Sequence, residues 1–480
     1  MTHRDEHLEG EHAVERVALP TPPGAWDPVR NAVRGALRPI EHFLHVEASG
    51  GILLMGAASI ALVWASSPWS DDYEHLLETP VVLRVGGVGI EADLRFVVNE
   101  LLMTLFFFVV GLEIKREIVH GELSHPRRAA LPIAAAIGGM TVPALIYVAL
   151  NPHVPARSGW GVPMATDIAF AVGVLTLLGR RVPPALRVLL LTLAIADDVG
   201  AVIVIALFYS NGIALGGLLL VVLAVLLTLV LQKAGVRRAW LYVLPGILAW
   251  EGMHSAGVHP TLAGVMLGLM TPTSAWLGPH GAIHLTRHAV TRLSSVVGTG
   301  EAHPTQLLGP LRDLELARRE AISPVERLAA KLHPWVAWGI MPLFALANAG
   351  VPLDPSSFDA EYAPVMLGVV AGLVIGKPLG VLAGAGLVVG LRIAPLPRGV
   401  TWAGVGVVGL CAGIGFTMAI FVGDLAFDGP ALVATKLAIL AASMIAGVLA
   451  MVVGSVVLRD ARAVPGAART ESEAEASTVA

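Results

Sequence analysis

Residues 191–208 read LTLAIADDVGAVIVIALF, and two adjacent carboxylates, Asp197 and Asp198, stand in the middle of this otherwise apolar run. As a helix rising about 1.5 Å per residue, such a run reaches across most of a hydrocarbon core about 30 Å thick. An ionisable side chain at that depth is costly, and where one persists it usually serves function. Neighbouring residues on a helix point about 100° apart, so Asp197 and Asp198 face different surroundings. One can meet a cation pathway while the other meets a basic partner.

Working outward, three more segments carry charges of the same kind. Residues 163–178, PMATDIAFAVGVLTLL, place Asp167 beside Thr166. Residues 375–380, IGKPLG, place Lys377 directly before Pro378. Span 96–118 holds Glu100 and contains FFFVVGLEIKRE. One isolated aspartate is as readily a structural ion-pair member as a functional group. Three aspartates and a lysine at midplane depth go beyond that, although a Lys–Asp pair can be structural in one state and titrate in another. Burial disfavours the charged form of a carboxylate and of an amine alike. A carboxylate so placed holds either a proton or a hard cation, and binding one expels the other. That competition is the minimal chemistry of an antiporter.

The composition agrees with a membrane setting. Of 480 residues, 55% are hydrophobic and only 14% charged, against about a quarter charged in soluble domains. Mean hydropathy is +0.73. The 52 glycines and 32 prolines are tolerated in spanning helices. A net charge of −4 gives no sign of a nucleic-acid partner, and the single cysteine, Cys411, excludes a disulfide framework or a cysteine metal site. The polar first 40 residues hold no cleavable signal peptide.

Apolar segments recur near 48–66, 96–118, 129–150, 163–180, 185–208, 213–232, 239–254, 256–271, 335–351, 363–390, 401–426 and 432–458, about twelve spans. With both termini cytoplasmic, Lys377 lies within a span and only Arg84, Arg95, Arg157 and Lys436 among the 32 Lys and Arg fall outside. That asymmetry follows the positive-inside rule. The predicted organisation is a cytoplasmic segment 1–46, a transmembrane domain 47–459 and a disordered acidic tail 460–480. Val81 to Ile90, with Gly86-Gly87 between, predicts a short outer β-hairpin. Residues 272–332 form a cytoplasmic insertion, in which Ser323, Pro324 and Glu326 fit a capped helix start.

Two segments echo each other. Thr166 to Gly173 reads TDIAFAVG, and Thr417 to Gly423 reads TMAIFVG, each after a stretch of helix breakers. Paired interrupted segments point to half-helices at a transporter's binding site. Together GLEIKRE, ATDIAFAVGVL, LAIADDVGAVI, SAGVHPTLAG, LHPWVAWGIMPLFALANAG, IGKPLG and CAGIGFTMAIF resemble, in the same order, the NhaA-type sodium/proton antiporters.

The resemblance runs from about Glu47 to Arg459. It implies an all-α polytopic inner-membrane protein of twelve helices with inverted-topology repeats and two discontinuous crossed helices, an architecture for which this family is itself a standard example. It implies secondary active, electrogenic exchange of cytoplasmic Na+ or Li+ for external H+, regulated by pH, by a homodimeric transporter rather than an enzyme, without cofactor or nucleic-acid partner. Asp198 resembles the principal sodium and proton carboxylate, with Asp197 as its partner in transient Na+ binding and as the pair of Lys377. Asp167 and Lys377 resemble groups that offset half-helix dipoles, with Thr166 and Glu100 in support. Glu113, Lys115, Arg116 and Glu117 resemble a pH-responsive cytoplasmic funnel, and His259 a pH-responsive histidine. A solvated helix end and a structural histidine are the plainer readings of those residues.

The chain departs from the pattern at Ala329 and Ala330, where the family's best-known member has an acid and a histidine implicated in pH sensing, and in its longer insertion. An intramembrane aspartyl protease would need two carboxylates sharing a proton, whereas Asp197 and Asp198 diverge on one helix. A cation channel has no use for Lys377 among the aspartates.

Overall fold

The computed structural model describes residues 49–85, 88–210, 212, 214–298, 303–352 and 359–458. The segment 1–46, the Gly86-Gly87 turn and the tail 460–480 lie outside the described residues. What is described is mostly helix, with one two-stranded sheet.

Helix α1 (Ser49–Ala65) bends by 118° into α2 (Ser70–Leu77). The sequence reading had no helix at α2. Its signature is electrostatic rather than apolar: Asp71 and Asp72 in the first turn and His75 in the last complement the helix dipole. Strands β1 (Pro80–Val85) and β2 (Val88–Asp93) pair antiparallel, Val85 opposite Val88, which is the predicted two-residue hairpin. Asp93 closes the sheet and opens the next helix by accepting the Phe96 N–H at 2.6 Å.

That helix, α3 (Leu94–His120), includes a π-helical turn, Val97–Leu102. Then come α4 (Pro126–Leu150), a 3-10 stretch (Ala156–Met164) leading into α5 (Ile168–Leu177), α6 (Pro184–Phe208) and α7 (Leu215–Lys233). Helices α8 (Val243–Ala256) and α9 (Leu262–Met270) precede the insertion. Its helices are α10 (Gly278–Gly298), α11 (Pro304–Glu320) and α12 (Pro324–Trp335). A π turn, Val336–Ile340, carries α12 into α13 (Met341–Asn348). The chain continues through α14 (Ala363–Gly390), α15 (Trp402–Ala412), α16 (Phe416–Ala426) and α17 (Gly429–Val457).

Among the described residues, six helices (α3, α4, α6, α7, α14 and α17) are long and apolar enough to cross a membrane, and up to nine spans result if each bent pair is one. The shortfall from about twelve falls at 239–271 and 335–351. Gly257, at φ 80°, ends α8 in the left-handed region, and Pro260 delays the next start. Helix α9 is therefore only 9 residues long, about 14 Å of rise.

Close backbone approach fixes the pairs that carry the site. A Cβ on Gly380 of α14 would lie 2.1 Å from the Gly138 carbonyl of α4, so the two backbones touch where Lys377 leaves α14. The same device joins α9 to α3, where a Cβ on Gly264 would meet the Thr104 carbonyl at 2.2 Å.

In the insertion, Ser323 and Glu326 form the anticipated reciprocal cap of α12. Val325 and Ala329 of α12 pack against Leu112 of α3. Ala329 is 4% exposed and Ala330 is open to solvent. Ala329→Glu should therefore lower the thermal unfolding temperature of the purified protein, by burying a carboxylate at about 2 kcal/mol or more. Ala330→His should leave it unchanged, and equal melting of the two variants would contradict this packing.

The insertion is stitched down at Glu320, which is fully buried. It meets Arg237 at 2.6 Å, Arg319 at 2.9 Å and Arg327 at 3.8 Å. Burial pushes the Glu320 carboxyl up, but hydrogen bonds and charges from Arg237 and Arg319 outweigh it and hold it below the ordinary value. A carboxyl lowered on folding contributes stability in full above its unfolded value of about 4.3, and loses it as pH falls through the folded one. This clamp is therefore constant across physiological pH.

Candidate ion-exchange site

Two bent helix pairs meet at their breaks. The 3-10 stretch and α5 are bent by 46° around Ala165–Asp167, and α15 and α16 by 49° around Gly413–Gly415. The Asp167 N–H donates to the Ile414 carbonyl at 2.8 Å. Asp167 Oδ1 accepts the Phe170 N–H at 3.0 Å, while Oδ2 accepts the Thr417 hydroxyl at 2.5 Å and the Thr417 N–H at 3.3 Å. One carboxylate therefore caps the first turns of both α5 and α16, whose N–H groups would otherwise be stranded away from water. Two positive dipole ends converge there on one acid. Ser443 of α17 accepts the Phe416 N–H at 3.0 Å and completes the α16 cap.

Lys377 follows the π turn Gly372–Gly376 and precedes Pro378, so the helix backbone is irregular on both sides of it. Its ammonium donates to the carbonyl of Met164, the last residue of the 3-10 stretch. It also lies 2.6 Å from Asp197 Oδ2, with 0% and 1% of the two side chains exposed. Thr166 Oγ1 stands 2.8 Å from the same Oδ2 and 2.9 Å from the Ala412 carbonyl that ends α15. A hydroxyl has one proton, so Thr166 serves one of these acceptors at a time. Asp197 Oδ1 is buried without a hydrogen-bond partner among the described residues.

Asp198, the next residue on α6, is also buried. Among the described residues it has no hydrogen-bond or ion-pair partner, yet Asp197, Glu113, Asp167 and Lys377 all lie within electrostatic reach of it. Five of the residues singled out from the sequence, Thr166, Asp167, Asp197, Asp198 and Lys377, thus come together. Only Asp198 is left with its carboxylate unengaged.

The other candidates divide. Half-buried Glu113 interacts electrostatically with Asp198, His333 and Arg116, linking the cluster to α3 and α12. Among the described residues Lys115 and exposed Arg116 form no hydrogen bond or ion pair with the aspartates, and Glu117 accepts the Glu122 N–H at 2.8 Å. Glu100 and His259 form their own pair at 3.6 Å, away from the cluster. His259 contacts Thr261 at 2.8 Å and sits edge-on to Phe421, one turn along α16 from Thr417.

Sequence reading had Thr417 only as half of an echo. That echo has a structural meaning, since Thr166 bonds to the Asp197 side and Thr417 to Asp167. Asp424, which the sequence pattern does not single out, pairs with Lys436 at 2.8 Å and ties α16 to α17. The acid near one span end and the base early in the next were the available signal.

Residues 41–453 match the family model described as Na+/H+ antiporter 1. The chain is 56% identical to the Na(+)/H(+) antiporter NhaA 2 of Sorangium cellulosum, over 95% of this chain and 98% of the relative. It is 54% identical to the Na(+)/H(+) antiporter NhaA 2 of Myxococcus xanthus, over 95% and 97%. With the Na(+)/H(+) antiporter NhaA of a Janthinobacterium species it shares 50% identity over 87% and 93%. On a match of this extent, the chain belongs to the Na+/H+ antiporter 1 family.

Proposed function

We propose that this integral membrane Na+/H+ antiporter works by competition between proton and cation at Asp198, with Asp197 as second ligand. The observation that carries the reading is an unengaged buried carboxylate directly beside a buried Asp197–Lys377 pair. Hard cations take oxygen ligands. Asp198, the free Oδ1 of Asp197 and the Thr166 hydroxyl supply them, and Na+ or Li+ is the substrate they would hold. Cation binding at Asp198 expels its proton. When Asp197 turns to the cation as well, Lys377 loses its counter-charge and gives up a second proton. Two protons against one Na+ make the exchange electrogenic. Asp167 and Lys377 offset the charges of the four facing helix ends. Glu113, Lys115, Arg116, Glu117 and His259 adjust the response to pH.

The same reading places the chain in the inner membrane as a homodimer joined through its hairpin, with both termini cytoplasmic. Its twelve spans form inverted repeats, with α8, α9, and α13 together with the π turn before it, contributing the spans beyond the nine. Its role is sodium and pH homeostasis.

Everted membrane vesicles provide the test. Adding Na+ to acid-loaded vesicles should raise the lumenal pH. The rate should climb as the pH of the medium rises, because fewer protons compete with Na+ for the carboxylates. A vesicle that ignores Na+ would remove the proposal.

Electrogenicity predicts a second result. Each net charge crossing 100 mV is worth about 2.3 kcal/mol, so an imposed potential should shift the Na+ gradient strongly. Indifference to the potential would mean one proton per Na+.

A further inference from the structure

Between α10 and α11 runs an open cleft of about 450 Å³ whose walls include Ile283 and Arg287 on one side, Leu314 and Arg318 on the other. Ile283 and Arg287 are four residues apart, as are Leu314 and Arg318, so each helix sets an apolar side chain and a guanidinium on one face. The remaining lining is alanine and threonine. Both arginines are exposed, and neither has an ion-pair partner among the described residues. Their neighbours differ: Arg292 pairs with Asp313 at 3.0 Å, and Arg319 and Arg327 surround Glu320. An apolar cleft with two free guanidiniums repels Na+ and suits an amphiphile with an anionic head.

Its position narrows the choice. Arg318 is two residues from Glu320, which is bound to Arg237 a few residues before α8. Leu314 is six residues, about 9 Å, from Glu320 along α11. Trp276 lies at the same root, 58% exposed, with the Arg237 guanidinium 5.2 Å from its ring centre. An exposed tryptophan beside arginine, next to the start of α8, which is a span in the topology proposed above, suits the lipid–water boundary. On that topology the cleft opens within reach of phospholipid headgroups.

We propose that the α10–α11 cleft binds an anionic phospholipid of the adjacent leaflet, Arg287 and Arg318 holding its phosphate and Ile283 and Leu314 its apolar part. The site is separate from the exchange cluster, and its occupancy would brace the insertion whose other arm, α12, packs on α3.

The test uses the full chain carrying Thr286→Cys, labelled with an environment-sensitive fluorophore; the native Cys411 is buried. In nanodiscs, phosphatidylglycerol should shift the emission to the blue and phosphatidylcholine should not. Arg287→Gln with Arg318→Gln should raise the phosphatidylglycerol fraction needed by about thirtyfold, the usual worth of two basic charges at a membrane surface. Both positions are exposed, so unchanged circular dichroism should accompany that loss. An equal shift with phosphatidylcholine, or in the double variant, overturns the proposal. So does an equal shift with inorganic phosphate, which would make the site one for a soluble anion. A blue-shifted signal without lipid that disappears on removing residues 460–480 would assign the cleft to the acidic tail instead.

Discussion

Asp198→Asn is expected to reduce Na+-dependent proton movement to the level of vesicles without the protein, while the variant inserts and melts like the parent. The reason is the contrast between two neighbours on one helix. Asp197 is held by Lys377 and Thr166 through a single oxygen, whereas Asp198 has no hydrogen-bond partner among the described residues. Asparagine keeps the shape of aspartate but can neither release a proton nor bring a negative charge to Na+. Because Asp198 has no partner among the described residues, its replacement by a neutral isostere strands none of them. The change in stability should stay within about 1 kcal/mol. Exchange near the parent rate would take Asp198 out of the mechanism. Loss of exchange together with loss of fold would show that its charge holds the bundle together.

How far the site could be read from the sequence depends on the kind of residue. Ionisable groups in apolar runs announce themselves, because the bilayer makes them costly wherever they stand. Asp167, Asp197, Asp198 and Lys377 were legible for that reason. Their partners were not, because the Met164, Ala412 and Ile414 carbonyls belong to the backbone and carry no residue signature. Thr417 lay between, visible as a repeat of Thr166 but without a stated role. The hairpin was legible from its alternation and its Gly-Gly turn. Helix α2 and the α10–α11 pair were not, since they are polar, and span-finding looks for apolar runs. The break between segments 239–254 and 256–271 was legible from Gly257 and Pro260, but composition does not record how short it leaves α9. Glu320 illustrates the opposite failure. It reads as one more charge in a charged loop, and only the fold brings Arg237 to it from 83 residues away.

Asp197→Ala should produce the largest loss of stability of any single change at the site. Lys377 is wholly buried, and Asp197 is its only acidic partner among the described residues. Removing one member of a buried ion pair leaves the other charge uncompensated, at a cost of about 3–5 kcal/mol. The variant should therefore unfold well below the parent in detergent and express poorly. Removing both charges is a different matter, because the desolvation of the pair then disappears along with its attraction. Asp197→Asn combined with Lys377→Gln should recover most of the lost melting temperature. The Met164 carbonyl, which the ammonium now satisfies, can still accept from the glutamine amide. Melting of Asp197→Ala at the parent temperature would mean that Lys377 sheds its proton in the resting protein and needs no counter-ion. Failure of the double variant to recover would place the stabilisation in Thr166 and the helix break it spans, since Thr166 loses its carboxylate partner in both variants. Thr166→Val would then reproduce the defect with the ion pair intact. That substitution separates the charge pair from the hydroxyl that joins it to the end of α15.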